Sequence, residues 1–507
     1  MSTGYAQLVL DGLRSAGSRE VLVHGRRRVT GDQALAMTAG AAQTLTARGV
    51  RAGQTIACLY GERIESLLSP LVAGILGCRF VPVWQGLPTA VAARAMRELN
   101  TSALLYDPAR TQDLAESQAH YPVSVIALLD SLFANPQASP PAAPEPRDPD
   151  DIATVNYSSG TTSECRVAVY SHRIQHAHLT AARALFGDGP RRVLVSPQLR
   201  YTGMLYQMWA LAGGGTVIME PDWQPHRLAE MIRRERVSHL MAGRPSDLYP
   251  LVDHLETNRT AGEHLQMLVY GGAAAVPARI AQAVERLGPR LMQTYGSTEA
   301  GFITGLASGD HARPELLASV GRAVPGAELC VRDVGGADLG AGEVGEVWVR
   351  SPQLMRGYLG DPQRSGQVLR EGWLRTGDLG RLDAGYLFLL DRTADRLAPG
   401  LYSHPIEQIL TNHPAVLDAA VFALPDQTDP VIAGAVVARP GQQVDPEALR
   451  TLVRTALGAR CEPRHLWLLD ELPRTAAGKP DKATLRARFL PTPDGVDQHA
   501  ATPPTAS

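Results

Sequence analysis

The stretch Tyr157-Ser-Ser-Gly-Thr-Thr-Ser-Glu-Cys-Arg166 gathers four small hydroxyl residues (Ser158, Ser159, Thr161 and Thr162) around Gly160. It follows the apolar run Ile152 to Val155, which reads as a strand. A loop of this composition can close on a polyphosphate with backbone N–H groups and hydroxyls. Gly160 permits close approach or positive φ, and Arg166 adds fixed positive charge. It is not the Walker pattern, which ends in Gly-Lys-Ser/Thr and opens a helix. An ordinary Ser/Thr-rich turn has the same composition, so the surrounding chain decides between the readings.

Upstream, residues 5 to 45 carry apolar residues at helical spacing. Thr55 to Tyr60 then reads as a strand, Ile64 to Leu76 as a helix and Arg79 to Trp84 as a second strand. This alternation implies a parallel, buried sheet. A further unit spans Ala103 to Leu129, and the Pro- and Ala-rich segment Asn135 to Asp151 reads as a solvated connection.

Downstream, His172 to Leu185 reads as a helix and Arg192 to Ser196 as a strand. Arg200 and Tyr201 follow it, where ligands of open α/β sheets collect. The strand Leu265 to Tyr270 runs into Gly271-Gly272-Ala273, leaving room for something flat against the backbone. Leu291 to Tyr295 repeats the arrangement and ends in Gly296-Ser-Thr298-Glu299. These residues offer an aromatic face, a hydroxyl and a hard oxygen ligand of the kind magnesium takes, although Ser297-Thr298 could equally cap a helix. Beyond Gly321 the pattern turns to strands and turns. A polar junction at Asp391 to Arg396 leads into a small α/β unit, and residues 491–507 read as a disordered tail.

At 507 residues the chain exceeds what one core serves. A net charge of −2 gives no electrostatic case for nucleic acid or an anionic membrane as main partner. There is no signal-like leader and no membrane-spanning apolar run, and the five scattered cysteines form no CxxC pair. Reduced thiols, no zinc site and a cytoplasmic protein are expected. Of 49 basic residues only Lys479 and Lys482 are lysines. Two lysines in an otherwise arginine-only chain suggest chemistry that needs a compact point charge on a flexible stem.

With the hydroxyl loop, Gly-Gly-Ala, Tyr-Gly-Ser-Thr-Glu, Arg-Thr-Gly-Asp378 and Pro-Arg-Thr-Ala-Ala-Gly-Lys479 in this order, the chain resembles the adenylate-forming superfamily over about residues 5–490. That superfamily includes acyl-CoA synthetases, peptide-synthetase adenylation domains and luciferases. The resemblance implies an α/β fold with a large N-terminal domain of parallel or mixed sheets, flanking helices and a β-rich subdomain over 1–391. A small mobile α/β C-terminal domain would occupy 392–490.

It also implies ATP and Mg²⁺, a small-molecule acid activated as its adenylate, and transfer by default to a CoA or carrier-protein thiol. By the same resemblance, Ser158, Ser159, Gly160, Thr161, Thr162 and Arg166 would hold the outer phosphates. Gly271, Gly272, Ala273 and Tyr295 would sandwich adenine, Gly296 would belong to the same nucleotide site, Thr298 would touch the α-phosphate, and Glu299 would ligate the metal. Asp378, with Arg392 nearby, would bind the ribose. Lys479 would act in the transition state while Lys482 matters far less, Arg200 and Tyr201 would line the acid pocket, and Asp395 would be the hinge.

Three departures stand out. The loop has Ser163, Glu164, Cys165 and Arg166 where relatives carry Gly-x-Pro-Lys; Arg200 replaces a frequent histidine; and Leu397-Ala-Pro-Gly-Leu-Tyr-Ser-His-Pro405 is one residue shorter and less glycine-rich than the segment that usually touches the pantetheine arm. A relative that adenylates nitrite for transfer to an aryl amine is therefore an alternative. A non-catalytic nucleotide-binding relative is another, opposed by the presence of Lys479, Glu299 and Asp378.

Overall fold

The computed structural model describes residues 4–121, 123–136, 148–158, 165–257, 263–425, 431–475 and 480–490. Ser159, Gly160, Thr161, Thr162, Lys479 and the segment 491–507 lie outside the described residues. The chain divides into two compact units, Met1–Leu389 and Leu390–Ser507.

The larger unit is α/β, built on two mostly parallel sheets. Among the described residues, one has nine strands. Its parallel centre comprises Leu291–Ser297, Met267–Gly271, His239–Gly243, Arg192–Val195, Thr216–Met219 and Glu20–His24, with antiparallel strands at both edges. The other has seven, of which Ile152–Tyr157, Arg79–Val83, Thr55–Leu59, Thr101–Tyr106 and Val125–Leu128 run parallel. Helices Tyr5–Ala16, Gly31–Ala47, Ile64–Ile75, His172–Phe186 and Arg200–Ala212 share one continuous apolar core with strands of both sheets. Strands such as Thr55–Leu59 are buried along their whole length, as expected where helices cover both faces.

The helical reading of residues 5 to 45 is incomplete. A hairpin of Glu20–His24 and Arg27–Thr30 separates two helices there. Glu20–His24 pairs in parallel with Thr216–Met219, so a distant partner overrides the local helical spacing.

A third, antiparallel sheet of Glu328–Arg332, Gly345–Arg350, Trp373–Asp383 and Leu369–Arg370, joined by Tyr386–Arg392, forms the β-rich part. The small unit packs helices Ser403–Asn412, Pro446–Leu457 and Lys482–Phe489 on the sheet Val416–Leu424, Val431–Ala438 and His465–Leu469. No helix among the described residues is long and apolar enough to cross a membrane, and none of the five cysteines is in a disulfide.

Candidate active site

The parallel strands of each large sheet bring their carboxyl ends to one edge, where ligands of such sheets bind. Hydrogen bonds join the two edges. The Thr298 hydroxyl donates to the carbonyl of Tyr157 across 3.5 Å, and the Tyr170 hydroxyl donates to the carbonyl of Thr298. Ser158 therefore lies beside the segment that carries Thr298 and Glu299. The hydroxyl-rich loop is closed at its base by Ser158 N to Arg166 O at 2.8 Å and Arg166 N to Ser158 Oγ at 2.9 Å, continuing the antiparallel ladder of Tyr157 with Val167.

Arg166 lies over the ring of Tyr358, 5.8 Å from its centroid, and the Tyr358 hydroxyl donates to Glu299 Oε1 at 2.8 Å. Burial, reinforced by the Glu299 carboxylate, raises the Tyr358 phenol above its ordinary range and keeps it a donor. Guanidinium, phenol and carboxylate thus form a chain from the loop to Glu299. Tyr358 escaped the sequence reading because its strand, Gly357–Tyr358, is two residues long and carries no periodic signal.

On the neighbouring strands, Gly271 pairs with Thr294. A Cβ at Gly271 would stand 2.2 Å from the Thr294 carbonyl oxygen, and one at Gly296 would stand 2.1 Å from that of Gly301. Neither position accommodates a side chain, so bare backbone is left beside Tyr295. The Tyr295 hydroxyl donates to Asp378 Oδ2 at 2.5 Å, which brings the third sheet to the same face. Gly272 and Ala273 continue from the strand end, where Gly272 has φ of 71°.

Arg200 opens its helix with φ of 46°, a left-handed value that is uncommon outside glycine, and its side chain is exposed. Such strain is concentrated at functional sites. Tyr201 instead faces the interior: it is 6% exposed, and its hydroxyl meets Gln175 and His178 Nδ1, the latter at 3.4 Å. His178 also lies 3.3 Å from the Gln353 carbonyl, and burial lowers its pKa to about 4. Tyr170, Tyr201 and His178 form an aromatic cluster directly beneath the Thr298 segment.

In the small unit, Asp391 accepts from the Ser403 backbone at 2.7 Å and its hydroxyl at 3.0 Å; Arg392 is exposed. Asp395 pairs with Arg486 at 2.8 Å. Lys482 is largely buried. Its ammonium lies 2.8 Å from Glu407 and donates to Ser403 Oγ at 2.5 Å. Burial opposes its charge, but the Glu407 carboxylate, with Asp391 and Asp395, outweighs this and raises its pKa. The base of the lysine loop is closed by an Arg474–Pro480 bridge and by Asp481 N to Pro473 O at 2.8 Å.

Comparison with known proteins decides what this face is. Residues 12–359 match the AMP-binding enzyme family model, and residues 405–479 match the AMP-binding enzyme C-terminal domain. The chain belongs to the AMP-binding enzyme family. It is 30% identical over 480 residues to feruloyl-CoA synthase of an Amycolatopsis species, covering 92% of this chain and 95% of that one. It is 28% identical over 519 residues to a medium/long-chain-fatty-acid–CoA ligase of Mycobacterium tuberculosis, covering 96% and 90%. The solved structure of the amide bond synthetase McbA from Marinactinospora thermotolerans superposes with a TM-score of 0.88 at 37% identity, covering 96% of this chain and 99% of that one. This AMP-binding enzyme is therefore an adenylate-forming ligase, and the reading as a non-catalytic relative is set aside.

Proposed function

We propose that this ligase activates a small carboxylic acid as its acyl adenylate and passes the acyl group to an amine, forming an amide. A carboxylate oxygen attacks the α-phosphorus of ATP and pyrophosphate leaves. The amine nitrogen then attacks the acyl carbon, the C–O bond to AMP breaks, and the nitrogen loses a proton. The observation that carries the choice of acceptor is the 37% identity to an amide bond synthetase over 96% of the chain, against 28% and 30% to the CoA-forming relatives.

The segment after the junction supports the same reading. Ala398 and Leu401 bridge around Pro399-Gly400, Gly400 has φ of 74°, and Leu397 is buried in the small unit's core. This tight Pro-Gly turn replaces the glycine-rich run that contacts a pantetheine arm in relatives. Transfer to a CoA or carrier-protein thiol is the second reading, favoured by the feruloyl-CoA synthase likeness.

In this reading Ser158 to Thr162 and Arg166 bind the outer phosphates, and Thr298 meets the α-phosphate. Gly271, Gly272, Ala273, Gly296 and the ring of Tyr295 border adenine. Asp378, oriented by the Tyr295 hydroxyl, accepts from the ribose, and Arg392 is assigned to the same nucleotide. Glu299 has one oxygen engaged by Tyr358, leaving the other for a metal. A lone carboxylate suits Mg²⁺, which is commonly held by one or two carboxylates with phosphates and waters. When bound, that ion would neutralise phosphate charge. Lys479 supplies positive charge as the transition state forms, which is commonly the largest catalytic contribution. Arg200 faces the acid, and Asp395 serves as hinge.

The test is a pyrophosphate-release screen of small carboxylic acids, and nitrite, each with and without amines and CoA. Acid-dependent release that amines accelerate is expected. Release with nitrite alone, or acceleration only by CoA, would overturn the choice of acceptor.

A further inference from the structure

The carboxyl edge of the nine-stranded sheet carries the nucleotide face, but its amino edge is also shaped. A cleft of about 250 Å³ opens there, lined by Pro190, Arg191, Arg192, Arg236, Ser238, His264 and Gln266. Its floor is the backbone at the starts of three adjacent strands, Arg192–Val195, His239–Gly243 and Met267–Gly271. Ser238 binds both neighbours: its Oγ accepts from Arg192 N at 3.0 Å, and its carbonyl accepts from Gln266 N at 2.8 Å. Four to five residues of strand, on the order of 15 Å, separate this floor from the nucleotide face.

The lining holds three guanidiniums and no carboxylate. Of the lining guanidiniums, Arg192 pairs with Glu235 at 3.2 Å and Glu20 at 3.8 Å, and the buried Glu235 is shared with Arg28 at 2.6 Å and Arg234 at 3.0 Å; exposed Glu263 adjoins His264 in sequence. Among the described residues, neither Arg191 nor Arg236 has an ion-pair partner, and Arg191 Nε is buried without a hydrogen bond. Arg236 ends its helix in a left-handed turn with φ of 50°, with Arg236 N bonded to Arg233 O and Val237 N to Ile232 O. Glycine is the usual occupant of that position, yet here it holds a guanidinium over the cleft.

We propose that this cleft is a second anion site, separate from the nucleotide face, which takes a small multiply charged oxyanion of the phosphate class. Unpaired guanidiniums over a rigid polar floor, with a hydroxyl and an amide alongside, match the fixed geometry of phosphate oxygens better than that of a diffuse counterion. Its existence does not depend on which acid or acceptor the enzyme uses.

Inorganic pyrophosphate is the probe, measured by equilibrium dialysis against the full chain at saturating ATP, which occupies the nucleotide face. The wild type should retain one equivalent. Arg236→Gly, which suits the local φ and should melt at or above the wild-type temperature, should bind that equivalent roughly tenfold or more weakly. Arg191→Gln with Arg236→Gly should lose it, while acid-dependent pyrophosphate release stays at the wild-type rate. No retained equivalent in the wild type, or unchanged affinity in both folded variants, would overturn the proposal.

Discussion

The polar groups of the two units are organised differently. On the large unit, Ser158, Arg166, Thr298, Glu299, Tyr295 and Asp378 converge from three sheets and are linked by hydrogen bonds and a cation–π contact. In the small unit, Lys482, Glu407, Ser403 and Asp391 pair off among themselves, with Glu407 also accepting from Val421 N at 2.9 Å. The first set gathers residues from separate sheets on one face, whereas the second is a closed cluster within one unit. The difference bears on the two lysines: Lys482 belongs to the frame at the base of the loop, whereas the role proposed for Lys479 is chemical.

The largest effect expected from that contrast is at Lys479. Lys479→Ala should lower acid-dependent pyrophosphate release by roughly a hundredfold or more while ATP binding persists, because charge placed for the transition state is lost. Equilibrium ATP binding and initial rates on the same preparation check both halves. Its chemical-denaturation midpoint should match the wild type.

Lys482→Ala should do the reverse. Removing one member of a buried pair leaves Glu407 uncompensated, and the small unit should lose about 3 kcal/mol in chemical denaturation. Lys482→Arg should recover little, since a planar fork does not fit a pocket built around an ammonium. A midpoint unchanged in Lys482→Ala would mean that the cluster is not what holds this unit together.

A smaller effect tests the aromatic cluster beneath the nucleotide face. His178 is buried neutral, with its pKa lowered from 6.5 to about 4. The unfolded chain binds the proton first, so stability is full above about pH 6.5 and falls as pH drops towards 4. The loss is on the order of 3 kcal/mol at most. His178→Gln should flatten that part of the pH–stability curve, and an unchanged slope would show that another group carries it.

Much of this was legible from residue order alone. Strands followed by glycine pairs, such as Leu265 to Gly272, mark a sheet end where backbone can be approached closely, and the close packing at Gly271 agrees with that. Residues acting through long-range contact were not legible. Tyr358 reaches Glu299 from 59 positions away, and Glu407 reaches Lys482 across a whole unit, so neither leaves a local pattern. The burial of Lys482 was illegible for the same reason: spacing from Lys479 says nothing about what the side chain packs against. The hairpin Glu20–Thr30 was hidden because its partner strand lies nearly 200 residues downstream.

The central claim is that the adenylate made on the large unit goes to nitrogen rather than sulfur. A single-turnover chase tests it most directly. Enzyme, ATP and the acid identified by the screen are mixed until adenylate accumulates, and the mixture is then divided between a primary amine and CoA at equal concentration. The account predicts rapid decay of the adenylate into amide with the amine, and decay with CoA no faster than hydrolysis. Rapid thioester formation with CoA, with the amine no faster than water, would contradict it.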